Sequence, residues 1–393
     1  MDIVANSTEP TQAAYSLETI KHLPGWTMKN TDLLRALRCV SGVVEHSISM
    51  KILSYIKISI KDGVATLSAT DTEMEVQCLV NSIECQHSSI EITVSLRRIS
   101  EVAKTFSQDT DLQFYHGDHW LYIVAGEAVF RLTSLSVEEF PHICFSSPIC
   151  ELALEKDVLL ELLKNTSFSM GNQDVRFYLN GVLLQIKGKQ LSFYGSDAHR
   201  LSVSTAVVPG QEVDAQSLVS RKAVLELAKV LKATADCPVS LFINENYLNV
   251  IGVDFNFKCT LVDVPQLNYE SLLPTVFKSN IRISKEVFVN VLMRSMVLSN
   301  DRFSDAILEI SAKSMRILSI NLDQERIEEK VAIESSSEPF KISVNVGYLL
   351  DVLKVIDSEQ VLIHFYGENR ALFIEDQSEG IHSRFIIMPL SSA

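Results

Sequence analysis

VSLRRISEVAKTF (94–106), VSRKAVLELAKVL (219–231) and VNVGYLLDVLKVI (344–356) are three versions of one segment, spaced 219−94 = 125 and 344−219 = 125 residues apart. Each has a residue suited to an N-cap after its opening valine: Ser95, Ser220 or Asn345. An aliphatic side chain follows at a fixed offset (Ile99, Val224, Leu349), another comes three residues later (Val102, Leu227, Val352), and a lysine stands two further on (Lys104, Lys229, Lys354). That apolar spacing predicts one amphipathic helix, present three times.

Working outward, a second trio keeps nearly the same period. TDLLRALRCVSGVV, KDVLLELLKNTSFSM and KEVFVNVLMRSMVLSN start around Asp32, Asp157 and Glu286, spaced 125 and 129. Asp71, Asp197 and Asp323 form a third trio, spaced 126 and 126, each just after an alternating stretch. YIKISIKDGVATLSAT reads as a hairpin with Asp62-Gly63 in a type I′ turn, and VLLQIKGKQLSFYGS and ILEISAKSMRILSIN repeat the shape. Each repeat therefore reads helix, antiparallel strands, helix, antiparallel strands. The expected fold class is α+β, with three similarly folded domains of paired helices on antiparallel sheets, at 26–149, 150–279 and 280–393. Residues 1–25 are expected to be an N-terminal extension, a mobile tail. The period is domain-sized, well above that of solenoid repeats, and three like domains suggest a pseudo-symmetric arc or ring.

Composition limits the function classes. With 393 residues, 47% of them hydrophobic, the chain is a globular mixture too long for one core. No apolar run approaches the roughly 20 residues of a membrane span, and MDIVANSTEPTQ has no secretory pattern, so a cytoplasmic location is expected. Seven cysteines without C-x-x-C spacing read as reduced core thiols. Lys+Arg 35 against Asp+Glu 49 gives net −14, which argues against a surface that coats DNA all over. Yet the six helical windows (28–43, 96–107, 155–170, 220–234, 284–302, 345–356) hold 16 basic and 9 acidic residues, a net of +7; the remainder holds 35−16 = 19 and 49−9 = 40, a net of −21. Lys29, Arg35, Arg38, Arg97, Arg98, Lys104, Lys164, Arg221, Lys222, Lys229, Lys232, Arg294 and Lys354 are the candidate cations for a phosphate backbone, read without base contacts. The plainer reading is that Lys and Arg are good helix formers on solvated faces.

NQDVRFYLNGVLL (172–184) followed by SDAHRLSV (196–203) resembles the bacterial replicative sliding clamp family, the beta subunit of DNA polymerase III. So do TDTEMEV (70–76), RKAVLELAKVL (221–231), VLSNDRF (297–303), NVGYLLDVLK (345–354) and IIMPL (386–390), in order along about 26–393. The resemblance implies two subunits joined head to tail in a pseudo-sixfold ring, with helices lining a hole for double-stranded DNA. It implies no catalysis: the ring tethers the DNA polymerase III catalytic subunit, after a clamp loader has opened it, and serves other proteins carrying clamp-binding motifs. It places a partner-peptide groove on Arg176, Tyr178, Leu179, Ser196, Ala198, His199, Arg200, Leu201, Leu267, Leu272, Gly347, Ile386, Ile387, Met388, Pro389 and Leu390. It places DNA contacts on Gln173, Phe177, Tyr178, Arg221 and Lys222, and ring closure on Phe130 and Leu132 against Val297 and Leu298. The chain departs from the family pattern in its tail, MPLSSA, which lacks a basic residue and a final leucine, at Leu267 in place of a proline, at Ala198 in place of a glycine, and at Ser47 in place of an arginine.

Two other function classes stay open on sequence: a metal-dependent nuclease using the repeated aspartates, and a peptide-binding scaffold unrelated to DNA. Against catalysis, an acid repeated in three domains reads as a turn residue. His116 and His119 sit at a hairpin tip without a third ligand, and no phosphate-cradling G-x-x-x-x-G-K-[ST] string occurs. No metal or cofactor is therefore expected.

Overall fold

A computed structural model describes residues 17–390, apart from 45–49, 82, 86, 88, 145, 210–212, 265–266, 275–276, 278, 299–304, 336–337, 367–370 and 379. Ser47, most of VLSNDRF and the last three residues thus lie outside the described residues, as do residues 1–16. The chain divides into two compact units, Met1–Cys144 with Asp254–Phe257, and Phe145–Val253 with Lys258–Ala393.

The first unit opens with α1 (Leu17–Ile20). Ile20 is buried against Tyr122 and Val124, with Leu23 packed alongside. The chain from Leu17 onward thus has an apolar anchor, so the segment 17–25 is part of the folded unit and not of the expected tail. Gly25–Lys29 is the second strand of a five-stranded antiparallel sheet that ends at the edge strand Ala128–Thr133. A second antiparallel set comprises Tyr55–Lys61, Val64–Thr70, Met74–Val80 and Ser89–Ser95. Its Asp62-Gly63 turn has φ of 51° and 76°, as a type I′ hairpin requires. The helices are α2 (Asn30–Val40) and α3 (Leu96–Ala103).

The second unit holds the other two repeats: α4 (Lys156–Ser167) with α5 (Arg221–Ala233), and α6 (Lys285–Ser295) with α7 (Val346–Val355). Two sequence repeats share one unit because strand Arg200–Val207 of one pairs with strand Ile381–Ile387 of the other, from Arg200↔Ile387 to Ala206↔Ile381. Beneath this seam Asn165 Nδ2 donates to Ser383 Oγ at 3.0 Å, and the Ser204 and Ser383 hydroxyls meet at 2.9 Å. A buried seam so hydrogen-bonded has no unmatched edge along which the repeats could part.

The same device closes each helix pair. The first residue of the leading helix sends a side-chain donor to carbonyls at the end of the second. Asn30 Nδ2 reaches Ala103 O at 2.9 Å, Phe106 O at 3.1 Å and Ser107 O at 3.0 Å. Lys156 Nζ reaches Thr234 O at 3.3 Å, and Lys285 Nζ donates to Ile356 O. Helix C-termini leave carbonyls without intrahelical partners, and these donors satisfy them. The trailing helices use their expected N-caps unevenly: Ser220 accepts from Ala223 N and Asn345 from Tyr348 N, whereas Ser95 makes no such bond.

The aspartate trio marks a repeated turn. The residue after each aspartate is left-handed: Thr72 at φ 78°, Ala198 at 70° and Gln324 at 64°. Asp71 Oδ1 accepts from the backbone of Glu73 and Met74, and Asp197 Oδ1 from that of His199 and Arg200. In the third copy Asn321 takes this role, accepting from Glu325 N at 2.9 Å. Cys39, Cys78, Cys150 and Cys259 are buried as read, but Cys144 is exposed and belongs to no core.

Candidate peptide groove and helical cations

The seam just described builds a cavity. Along its strands side chains alternate between faces. Leu201 pairs with Ile386, and Ile386 with Phe373 on strand Ala371–Ser378, so these three present one apolar face. Leu183, Tyr194, Val203, Leu218 and Ala371 complete the buried cluster, with Tyr178 and Tyr269 packed against it. Above lies an open cavity of about 750 Å³, within the size range of ligand sites. Burial pushes the Tyr269 phenol up to about 12, helped by the nearby Tyr178, as expected beside an apolar wall.

Of the residues placed in the groove from sequence, Arg176, Tyr178, Leu179, Ser196, Ala198, Arg200, Leu201, Leu272, Ile386 and Met388 line this cavity. His199 turns its side chain to solvent, while its carbonyl accepts from Met388 N at 2.9 Å and so holds the tail. Ile387 points the opposite way to Ile386, into the core of the third repeat, as strand alternation demands. Leu267 packs near the cluster, its backbone N and O both bonded to the Gln216 side chain. Gly347 lies inside α7, and the Leu390 N–H is engaged by Ser343 O beyond the cavity, with Pro389 before it. Sequence reasoning missed Tyr269, Pro274, Ala371, Leu372 and Phe373. The alternation in ALFIE (371–375) was a usable signal, but only once that strand is known to lie beside the terminal one.

Charge at the rim is held in pairs. Arg176 grips Asp174 through Nε at 3.0 Å and Nη2 at 2.9 Å, holding that carboxyl down at about 2. Arg200 donates to Asp197 Oδ2 at 3.0 Å, Asp351 Oδ2 at 2.8 Å and Phe168 O at 2.6 Å. Its guanidinium also lies 4.3 Å from the Tyr348 ring centroid. Asp351 and Tyr348 belong to α7, so this one arginine ties the second repeat to the third.

The helical cations fall into three groups. Lys29, Arg38, Lys104, Lys222 and Lys232 are exposed. Others are matched by acids on or beside their own helix: Arg97 and Arg98 by Glu101, Lys164 by Glu161, Lys229 by Glu226, Lys354 by Asp351 and Arg294 by Glu329. Arg35 and Arg221 differ from the sequence reading. Arg35 Nη1 binds Asp254 at 2.6 Å and its Nη2 the Leu79 carbonyl, and Arg221 Nη1 donates to Met170 O at 3.1 Å. Both guanidinium groups are tied to their own unit. Gln173 is left-handed at φ 56° in the loop that also exposes Phe177. Phe130 and Leu132 lie half-buried on the edge strand Ala128–Thr133, while Val297 is 79% exposed in the turn Met296–Leu298 with Leu298 half-buried.

The nuclease alternative fails on geometry. Asp71 and Asp197 spend their carboxylates on backbone turns in separate repeats, and among the described residues no three His, Cys, Asp or Glu side chains converge.

A threefold α+β repeat whose second and third copies enclose an apolar groove is the architecture of a processivity clamp. Family models agree along the chain: the DNA polymerase III beta subunit N-terminal domain matches residues 25–144, the central domain 153–265 and the C-terminal domain 270–391. The chain belongs to the DNA polymerase III beta subunit family. It is 30% identical over 369 residues to the beta sliding clamp of Pseudomonas aeruginosa, covering 93% of this chain and 99% of that one. To the beta sliding clamp of Escherichia coli K12 it is 28% identical over 366 residues, with the same coverage. A crystal structure of the Pseudomonas aeruginosa subunit superposes with a TM-score of 0.87 at 29% identity, covering 93% of this chain and 99% of that chain. Another, bound to griselimycin, gives 0.88 at 28% identity, covering 94% and 100%.

Proposed function

We propose that this chain is a DNA sliding clamp: two copies close head to tail around duplex DNA and tether the replicative polymerase, with no chemistry of their own. The three-domain family match carries this reading, and the apolar groove supplies the tether's socket. Its partners are sequence-independent double-stranded DNA, the DNA polymerase III catalytic subunit, a clamp loader and other proteins bearing short clamp-binding motifs. The groove side chains are those lining the cavity, with Tyr178, Leu201, Phe373 and Ile386 as its apolar wall and Met388 as an adaptable edge. The exposed cations Lys29, Arg38, Lys104 and Lys232 are the best placed for phosphates, since no carboxylate shares their charge among the pairs described. Ring closure uses the Ala128–Thr133 edge, through Phe130 and Leu132, against the Val297–Leu298 turn of the other copy. The domain limits follow the repeats at 26–149, 150–279 and 280–393. No helix among the described residues is long and apolar enough to cross a membrane, and we place the protein with the chromosome, in the cytoplasm. Solution mass tests the assembly: twice 43.9 kDa supports the two-copy ring, and a strict monomer at micromolar concentration contradicts it.

A further inference from the structure

Two buried cysteines meet in the first unit. Cys39 lies in α2 and Cys78 in strand Met74–Val80, on which that helix packs, and the two residues are 1% and 0% exposed. The turn of α2 that carries Cys39 is fixed over the strand by Arg35, four residues earlier. Arg35 Nη2 donates to the carbonyl of Leu79, next to Cys78, at 3.2 Å, and its Nη1 to Asp254 Oδ2 at 2.6 Å. Within this frame the Cys39 thiol donates to the Cys78 sulfur. That bond pushes Cys39 above the ordinary thiol range and holds Cys78 below it. Burial reinforces the first shift and opposes the second, while the Arg35 charge favours both thiolates and that of Asp254 opposes them. Cys78 is therefore the sulfur that ionises first, with the Cys39 proton beside it. Cys150, by contrast, is raised by burial alone.

We propose that Cys39 and Cys78 are a redox-active pair, which a hydroperoxide converts to a disulfide that staples α2 to strand Met74–Val80. The Cys78 thiolate attacks one peroxide oxygen and breaks the O–O bond; the hydroxide that leaves takes up a proton, giving water and a Cys78 sulfenic acid. The Cys39 sulfur then attacks Cys78 Sγ, the S–O bond breaks, and the departing hydroxide takes the Cys39 proton as a second water. The two sulfurs are oxidised and the two peroxide oxygens reduced, so the step balances. Hydrogen peroxide is close to water in size, and its approach is along Arg35, whose side chain is 35% exposed and whose charge reaches both thiols. Because the second thiol is already in place, the sulfenic acid is consumed before more peroxide can oxidise it irreversibly. A thiol reductant restores the pair, as for the transient disulfides of a reducing compartment.

Peptide mapping of the full chain tests it. The chain, freed of reductant, is exposed to hydrogen peroxide in native buffer, its remaining thiols are alkylated in denaturant, and it is digested without reduction. Trypsin with a glutamate-specific protease cuts after Arg38 and Glu45, which isolates Cys39, and after Glu75 and Glu84, which isolates Cys78. The expected product is a peptide pair joining the two, with Cys150 and Cys259 recovered as thiols. In Cys39→Ser the Cys78 sulfenic acid has no resolving thiol, and roughly tenfold more dimedone adduct should form there than in the unaltered chain. The bond closes a loop of 78−39 = 39 residues, so oxidation should raise the urea midpoint of unfolding and dithiothreitol should return it. The proposal is overturned if Cys39 and Cys78 both stay alkylatable while the exposed Cys144 is oxidised, since the oxidant then acted and the pair did not respond. It is overturned equally if Cys78 links as readily to Cys85 or Cys144 as to Cys39, or if the linked chain unfolds at a lower midpoint, because the folded geometry would then not be what brings the sulfurs together. A folded Cys39→Ser without the dimedone adduct overturns it too, because Cys78 would not be the attacking sulfur.

Discussion

Ile387 and Met388 are neighbours in sequence with opposite duties, and truncating each in turn separates fold from function. Ile387 is fully buried among the third repeat's core, so Ile387→Ala opens a cavity there; such truncations cost about 2–5 kcal/mol. Met388 lines the groove and is 43% exposed. A fully buried methionine is worth roughly 1.5–3 kcal/mol, so covering the open part with a ligand contributes about 1 kcal/mol. Met388→Ala should therefore weaken peptide binding about fivefold and change unfolding by under about 1 kcal/mol. Urea denaturation followed by circular dichroism gives the change in stability, and anisotropy of an apolar pentapeptide gives the change in affinity. The reasoning is refuted if Ile387→Ala leaves stability intact, or if Met388→Ala lowers stability as much as it lowers affinity. The same geometry says where to truncate the tail. Removal from Met388 onward spares the Arg200↔Ile387 and Leu201↔Ile386 pairs, whereas removal from Ile386 tears the seam and the core together.

Asn30→Ala leaves three carbonyls at the end of the α3 segment without their shared donor and should cost about 2–3 kcal/mol in the first unit, measured by denaturation. Ala198→Gly relieves a left-handed alanine at φ 70° and should stabilise the second unit by about 1 kcal/mol; a destabilised variant would show that the Cβ contributes more to the groove than its backbone strain costs. Asp174 has its carboxyl lowered to about 2 by Arg176, so its contribution is present above the ordinary carboxylate value near 4 and is lost as pH falls through about 2. Carbon-detected NMR titration of that side chain should give a midpoint near 2, and a midpoint near 4 would mean that the fork with Arg176 does not persist in solution.

Much of the fold was readable because helices and hairpins leave local periodicities. The 125-residue recurrence of Ile99, Val224 and Leu349 located three helices that the structure contains, and the Asp62-Gly63 turn was legible from two residues. The aspartate trio was correctly read as turn chemistry at Asp71 and Asp197, though Asn321 replaces it in the third copy. What stayed hidden depends on partners distant in sequence. Nothing local to Arg200 announces Asp351, 151 residues away, nor does strand Arg200–Val207 announce Ile381–Ile387. Tyr269 reaches the groove from a loop by stacking on Tyr194, and Phe373 by pairing with Ile386, so both depend on neighbours far away in sequence. One missed signal was local: Glu101, Glu226 and Asp351 recur three residues before Lys104, Lys229 and Lys354, and the latter two lysines are matched by them. Counting cations alone therefore overstated the free positive charge of the helices.

Encirclement is the claim on which the function rests, and topology tests it without reference to affinity. The protein would be placed on a nicked circular plasmid by its own ATP-driven loader and separated from free protein by gel filtration in high salt. Half of the sample would then be cut once with a restriction enzyme. A clamp stays with the circle and is lost from the linear molecule, because a ring held by topology slides off an open end. Equal retention on both forms, or release from the intact circle in high salt, would mean that ordinary surface contacts hold the protein to DNA.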